Sequence, residues 1–382
     1  MSDNLANKEM TASFVRLDFL DSLRCFAIIY VVISHLILIP QPNLSIPEAL
    51  APLLLNGGYA GVSLFFILSA FSLCFALDSR RDEPELIKRF YLRRFFRIAP
   101  LFYLMLFIYW IRDAVLLGVI HPAPEVLINA SLLFNLVPAY ITGFVWASWT
   151  IGVMAILYLL FPLIYRWIRS LPAALIVFFA SVLMSWGWSH FVLNYGETMG
   201  YLKADDINFA LDFGFLQHLP VFICGVIVYR LFFDYLSKWN AQKRQVFGWV
   251  CIILFIPFYA LLLTGKLQNM LWGLSILHGV CCSLLVLGMG LKPFSFLINA
   301  GTAYLGKTTY SMYLFHPLMI FTIIPVYRQI YNIASNEMLG YFISLFVTLA
   351  VLIPISFLSY KYIERKGSAW GNRIISKNKR FH

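Results

Sequence analysis

Two ionisable residues, Arg24 and His35, stand inside the first apolar stretch of the chain, LDSLRCFAIIYVVISHL. Charge within hydrocarbon is costly, so residues of this type at such depth are candidates for function. They are eleven positions apart. At 100° per residue that spacing returns them to within about 20° of one helix face, with an axial separation of about 16 Å. Asp21 lies one turn before Arg24 on nearly the same face, where the two can pair. The stripe runs from an acid–base pair at one membrane boundary to an imidazole in the far half, a group that exchanges protons near neutrality. Snorkelling of Arg24 to lipid headgroups and a hydrogen-bonded core role for His35 are the plain alternatives. Neither explains the shared face.

These residues need helices to hold them, and composition says that the helices cross a membrane. The 382 residues are 61% hydrophobic and 12% charged, with a mean hydropathy of +0.78. A soluble domain carries roughly a quarter of its residues charged. Runs of the roughly 20 apolar residues needed to span a bilayer fall at Ser22–Pro40, Ala60–Leu77, Ile98–Leu117, Val145–Ile168 and Pro172–Leu193. Five more follow at Phe213–Phe233, Val246–Thr264, Met270–Leu291, Thr308–Tyr327 and Leu339–Tyr360. The shorter apolar run Leu127–Leu136 suits a re-entrant or interfacial segment. The expected fold is an all-α polytopic helix bundle of about ten transmembrane helices with both termini on one side.

Charge tests that count independently. Three basic residues from Lys8 to Arg24, seven from Arg80 to Arg97, Arg166 and Arg169, four from Arg230 to Arg244, Lys292 and Lys307, and seven from Lys361 to Arg380 fall on one set of alternating segments. Only Arg112, Lys203, Lys266 and Arg328 fall on the other. By the positive-inside rule both termini are cytoplasmic, in an inner membrane. The expected organisation is a cytoplasmic tail over residues 1–20, a transmembrane domain over 21–363 and a basic cytoplasmic tail over 364–382. No removable signal peptide is read at the start. The net charge of +11 is thus a topology signal and does not call for nucleic acid. Cys25, Cys74, Cys224, Cys251, Cys281 and Cys282 sit in apolar runs without zinc-ligand spacing, as small buried hydrophobes; no metal is expected.

Arg24-x10-His35 with its lead-in LDFLDSLR resembles the first helix of the acyltransferase type 3 family of integral membrane acyltransferases. Further blocks agree in family order: GVSLFFILSAF (Gly61–Phe71), RRFFRIAPLFYL (Arg93–Leu104), WTIGVMAILYLLFP (Trp149–Pro162), LGKTTYSMYLFHPL (Leu305–Leu318) and SYKYIER (Ser359–Arg365). Each is degenerate alone; together they cover nearly the whole chain. One departure is Met154, where the family usually has glutamate.

The resemblance implies transfer of an acyl group, usually acetyl, from cytoplasmic acyl-coenzyme A to a hydroxyl of a cell-envelope glycan such as O-antigen, capsule or another lipid-linked saccharide. Coenzyme A is polyphosphorylated, which suits a mouth of arginine forks. Arg94 and Arg97, one helical turn apart, with Arg93 beside them and Arg24 where the donor's arm enters, fill that role. His35 is the expected base, or a group that is itself briefly acylated. Tyr310, Tyr313, Ser69 and Trp149 are candidate donors to the developing oxyanion. His316 precedes Pro317, whose ring frees a carbonyl one turn earlier; its imidazole either satisfies local polar groups or lines the site opposite His35. His278 reads as structural, and His190 and His218 as interfacial. The competing readings are a transporter or flippase of an anionic or lipid-linked sugar, and a catalytically weakened relative marked by Met154.

Overall fold

The computed structural model describes residues 17–200, 202–203, 206–267 and 273–377. Tail residues up to 16, the expected start of the eighth span at Met270, and Lys379 and Arg380 lie outside the described residues. Among the described residues every regular element is helical, and ten helices are long and apolar enough to cross a membrane. Their regular cores are α1 Asp18–Leu38, α2 Gly57–Asp78, α3 Leu86–Arg112, α4 Trp149–Trp167, α5 Leu171–Tyr195, α6 Phe215–Arg230, α7 Ala241–Leu263, α8 Gly273–Leu291, α9 Thr309–Ile333 and α10 Glu337–Ser359. The protein is a multi-pass membrane protein.

The bundle has a buried centre and a lipid-facing rim. In the most apolar window of each span, 72% of residues are buried for α2 and 61% for α1, against 17% for α7 and 22% for α5. Helices apolar all round belong in such a centre. Small residues bring the central helices together, as in other membrane bundles. A Cβ on Gly61 would stand 2.7 Å from the Ala27 carbonyl oxygen of α1, and one on Gly225 of α6 would stand 2.3 Å from that of Ile67 on α2.

Several boundaries differ from the hydropathy reading. Helix α3 begins at Leu86, not Ile98, because an apolar window stops at charged residues whereas the helix continues through them. Lys88, Arg89, Arg93, Arg94 and Arg97 are therefore helical. The sixth span is broken at Gly214, whose extended backbone separates the short helix Ile207–Phe213 from α6. Beyond α10 a wide-turn segment, Tyr360–Glu364, leads into α11, Arg365–Lys377. This last helix lies against α3, where a Cβ on Gly371 would stand 2.8 Å from that of Phe96. The run Leu127–Leu136 does not cross: it holds the end of the helix Ala123–Ala130 and a single turn at Phe134–Leu136. Phe134 is fully buried and stacks on Phe102 of α3.

The Gly225 contact supplies a stability test. Overpacking of this kind costs about 1–3 kcal/mol. Gly225→Ala is expected to lower the melting temperature in detergent by several degrees. Gly187→Ala, where an added Cβ meets nothing within 4 Å, should leave it unchanged or raise it. Equal melting temperatures for both variants would contradict the close α2–α6 contact.

Candidate active site

Of the cavities along α1, one lies at Arg24 and another at His35. The first, about 340 Å³, is lined by Arg24, Arg94, Arg97, Ser69, Ser72, Met154, Tyr158 and Tyr310 among others. Helix geometry aims Arg24 into it: Asp21, three residues earlier, pairs with one guanidinium nitrogen at 2.5 Å. The other nitrogen donates to Ser72 Oγ of α2 at 2.5 Å. Several other cations at this end are neutralised locally. Arg89 pairs with Glu83 at 3.2 Å, and Arg81 and Arg230 pair with Asp78 at 3.0 and 3.4 Å.

Arg94 and Arg97 differ. Among the described residues neither has a carboxylate within ion-pair distance. Arg94 rests its guanidinium against the rings of Phe90 and Tyr158, and its buried Nε has no hydrogen-bond partner. A buried cationic donor left unpaired is expensive unless an anion completes it. Arg93 does not join them. It sits 100° round the helix from Arg94, and it pairs with Glu83. Its hydrogen bond holds the Glu83 carboxyl below the usual carboxylate range, against the opposing effect of burial.

The second cavity, about 470 Å³, is lined by His35, Trp146, Trp149, His218, Asp212 and Gly58 among others. Here α9 meets α1. His35 Nδ1 lies 2.7 Å from His316 Nε2, and His316 Nδ1 lies 2.6 Å from the Tyr313 carbonyl oxygen. A carbonyl only accepts, so His316 carries its proton on Nδ1 and, as a neutral ring, presents a lone pair at Nε2. His35 must then donate from Nδ1, which leaves the lone pair of a neutral His35 on Nε2. That atom faces the cavity: a Cβ added to Gly58, which lines it, would stand 3.9 Å from Nε2. Trp146 braces the His35 ring edge-on at 4.8 Å between centroids.

The two cavities share Val62 and Tyr313 as lining. Tyr313 is anchored there, its hydroxyl donating to the Ala147 carbonyl at 3.1 Å and accepting from Thr150 Oγ1 at 2.9 Å. One face of α2 runs past both cavities: Gly58, Val62, Phe65, Ser69 and Ser72 recur at helical spacing, from His35 at one end to Arg24 at the other.

The candidate oxyanion donors divide between these spaces. Trp149 and Tyr313 line the cavity of His35, whereas Ser69 and Tyr310 line the arginine cavity, where Tyr310 donates to the Ile98 carbonyl at 2.8 Å. His218 is a correction. It is not interfacial but 4% exposed, with Nε2 donating to the Asp212 carbonyl at 2.9 Å. Its ring packs on Trp149 and Phe66. The break at Gly214 puts it one turn inside α6, beneath those aromatics. His278 is buried and bonded to Leu274 and Asn56. The six cysteines are buried and free. Among the described residues no cluster of His, Cys, Asp and Glu is suited to a metal ion.

The hydrogen-bond polarity is directly measurable. Nitrogen-15 NMR of histidine-labelled protein should report His35 in the Nδ1–H tautomer. His316→Leu, which removes the acceptor, should release that preference. An Nε2–H tautomer in the unaltered protein would contradict the chain.

A family model described as an acyltransferase domain matches residues 17–357. The acyltransferase MdmB of Streptomyces mycarofaciens is 32% identical over 177 residues, 43% of this chain and 43% of that protein. ORF330 of Acidianus two-tailed virus, a protein named as an acetyltransferase, is 26% identical over 275 residues, 69% of this chain and 73% of that one. The chain thus spans under half of the first relative's length. No solved structure matches. The matched residues run from the one before α1 to near the end of α10 and take in the lining of both cavities, so the chain belongs to the acyltransferase 3 family.

Proposed function

We propose that the protein transfers an acyl group, acetyl in the simplest case, from cytoplasmic acyl-coenzyme A to a hydroxyl of a cell-envelope glycan across the inner membrane. The observation that carries the reading is the pairing of two cavities along one helix. One holds Arg94 and Arg97, which no carboxylate among the described residues reaches within ion-pair distance, and the other holds an imidazole whose free lone pair faces open space. The charge asymmetry of the loops supports a cytoplasmic arginine cavity.

In this reading Arg94 and Arg97 bind the donor's phosphates as charge-assisted hydrogen-bond donors. Arg24, oriented by Asp21 and Ser72, steers the donor's arm along α2. His35 Nε2 takes the proton of the acceptor hydroxyl as that oxygen bonds to the thioester carbonyl carbon. When the carbon–sulfur bond breaks, His35 returns the proton to the leaving thiolate, so the ring ends neutral and the products are an ester and a thiol. His316 acts through His35, holding its tautomer as the aspartate does in a serine-protease triad. Trp149 flanks the reacting carbonyl as a donor to its oxygen, whereas Tyr313, whose one hydroxyl proton goes to Ala147, shapes the passage beside it.

Met154 favours a second reading. It lines the arginine cavity at the position where the family resemblance calls for glutamate, so a chain lacking that carboxylate would be a slowed relative. A transporter or flippase of an anionic or lipid-linked sugar would use the same Arg24–His35 stripe without a covalent step.

Purified protein in lipid nanodiscs, given labelled acetyl-coenzyme A and a cell-envelope glycolipid extract, should form base-labile labelled ester. His35→Ala is expected to reduce the rate by roughly 10²–10⁴-fold. Arg94→Ala and Arg97→Ala should each raise the donor KM about tenfold or more, the loss of a charge-assisted hydrogen bond. Glycan uptake into vesicles without any labelled ester would overturn the proposal in favour of transport. A large gain in turnover for Met154→Glu would identify a slowed enzyme.

A further inference from the structure

We infer that Val62 and Tyr313, backed by Phe65, form a slit that selects acyl groups by cross-section, admitting unbranched short chains and rejecting branched or aromatic ones. The inference rests on the acyl-transfer reading and deepens it to the class of donor.

A group carried from the arginine cavity to His35 Nε2 must travel along the α2 face that both cavities share. That face spans 15 residues from Gly58 to Ser72, about 21 Å of helix. Its ends are small, with Gly58 beside His35 and Ser69 and Ser72 beside Arg24. Its middle is bulky, with Val62 and Phe65.

Tyr313 stands opposite and is held from three directions. Its hydroxyl is fixed by Ala147 and Thr150. Its ring meets Phe65 edge-on, 6.1 Å between centroids. Its own carbonyl accepts the His316 proton. Tyr313 thus has little freedom to move aside, whereas the Val62 side chain makes no hydrogen bond and can be trimmed without breaking one. Val62 is also β-branched and stiff at χ1 in a helix, so its two methyls present a fixed profile. The passing acyl group is at the tip of the donor, so its width is what the slit meets first. One methyl group more or less in an apolar pocket changes discrimination by roughly 10–200-fold.

The test is a competition. Acetyl-, propionyl- and isobutyryl-coenzyme A are supplied together in equal amounts to the full-length protein in nanodiscs with the same glycolipid extract, and the esters are quantified by mass spectrometry. The unaltered protein is expected to use acetyl and propionyl groups and to discriminate against isobutyryl. Val62→Ala should raise the isobutyryl-to-acetyl ratio about tenfold or more, and Val62→Phe should depress acyl transfer from all three donors. Tyr313→Phe, which frees the ring from Ala147 and Thr150 and keeps its shape, is the second variant; it should shift the ratio in the same direction as Val62→Ala, by less. Unchanged ratios in both Val62→Ala and Tyr313→Phe, with acetyl transfer intact in the unaltered protein, would overturn the slit. An unaltered protein that transfers no acyl group from any donor would instead defeat the reading on which the slit depends.

Discussion

Pro317 has no N–H to give, so the carbonyl of Tyr313, one turn earlier in α9, lacks the donor an ordinary helix would supply. His316 fills the vacancy from its side chain. One missing backbone proton thereby sets the direction of every hydrogen bond that follows. His316 must donate at Nδ1 and accept at Nε2, and His35 must donate at Nδ1 and keep Nε2 for the cavity. The arrangement orients the His35 imidazole without an adjacent carboxylate. A neutral carbonyl and a neutral ring fix position and tautomer, and they add no negative charge to a site where an oxyanion would form. A carboxylate in their place would need a counterion at the same depth, where an unpaired charge is costly.

The α1–α2 contact performs the other half of the positioning. Gly57 and Gly61 let α2 approach so closely that added Cβ atoms would meet the backbone of Tyr30 and Ala27. That approach brings Ser72 to the Arg24 guanidinium and Gly58 to His35 on the same pair of helices. Arg24 and His35 thus address separate cavities while being held by one rigid interface. The lipid-facing helices α5 and α7 contribute little to either cavity, consistent with their low burial. They enclose the centre.

The span count, the shared face of Arg24 and His35, and the freed carbonyl before Pro317 were all legible in the sequence, since each follows from a fixed helical period or a missing donor. The partner of His316 was open between a local backbone group and His35, and the structure has both, one at each ring nitrogen. Other features depend on tertiary contacts that no single segment encodes. Arg93 was expected beside Arg94 and Arg97, yet Glu83, which reaches α3 from the preceding turn, captures it. Tyr310 and Ser69 carry suitable donors, but their depth along α9 and α2 puts them with the arginines. His218, expected at the interface, is buried instead because the short helix ending at Phe213 and the rings of Trp149 and Phe66 close over it, contacts that hydropathy does not register.

The central claim is that one substrate joins the two cavities: phosphates at Arg94 and Arg97, and the acyl carbon at His35. An electron cryo-microscopy structure of the full chain in a nanodisc with a non-hydrolysable thioether analogue of acetyl-coenzyme A tests this most directly. The account predicts diphosphate density within hydrogen-bonding distance of both guanidinium groups. It also predicts the analogue's carbonyl in the cavity beside His35 Nε2, with the arm lying along Gly58, Val62, Ser69 and Ser72. Phosphate density away from Arg94 and Arg97, or an arm that ends on the arginine side of Tyr313 and Val62, would contradict it.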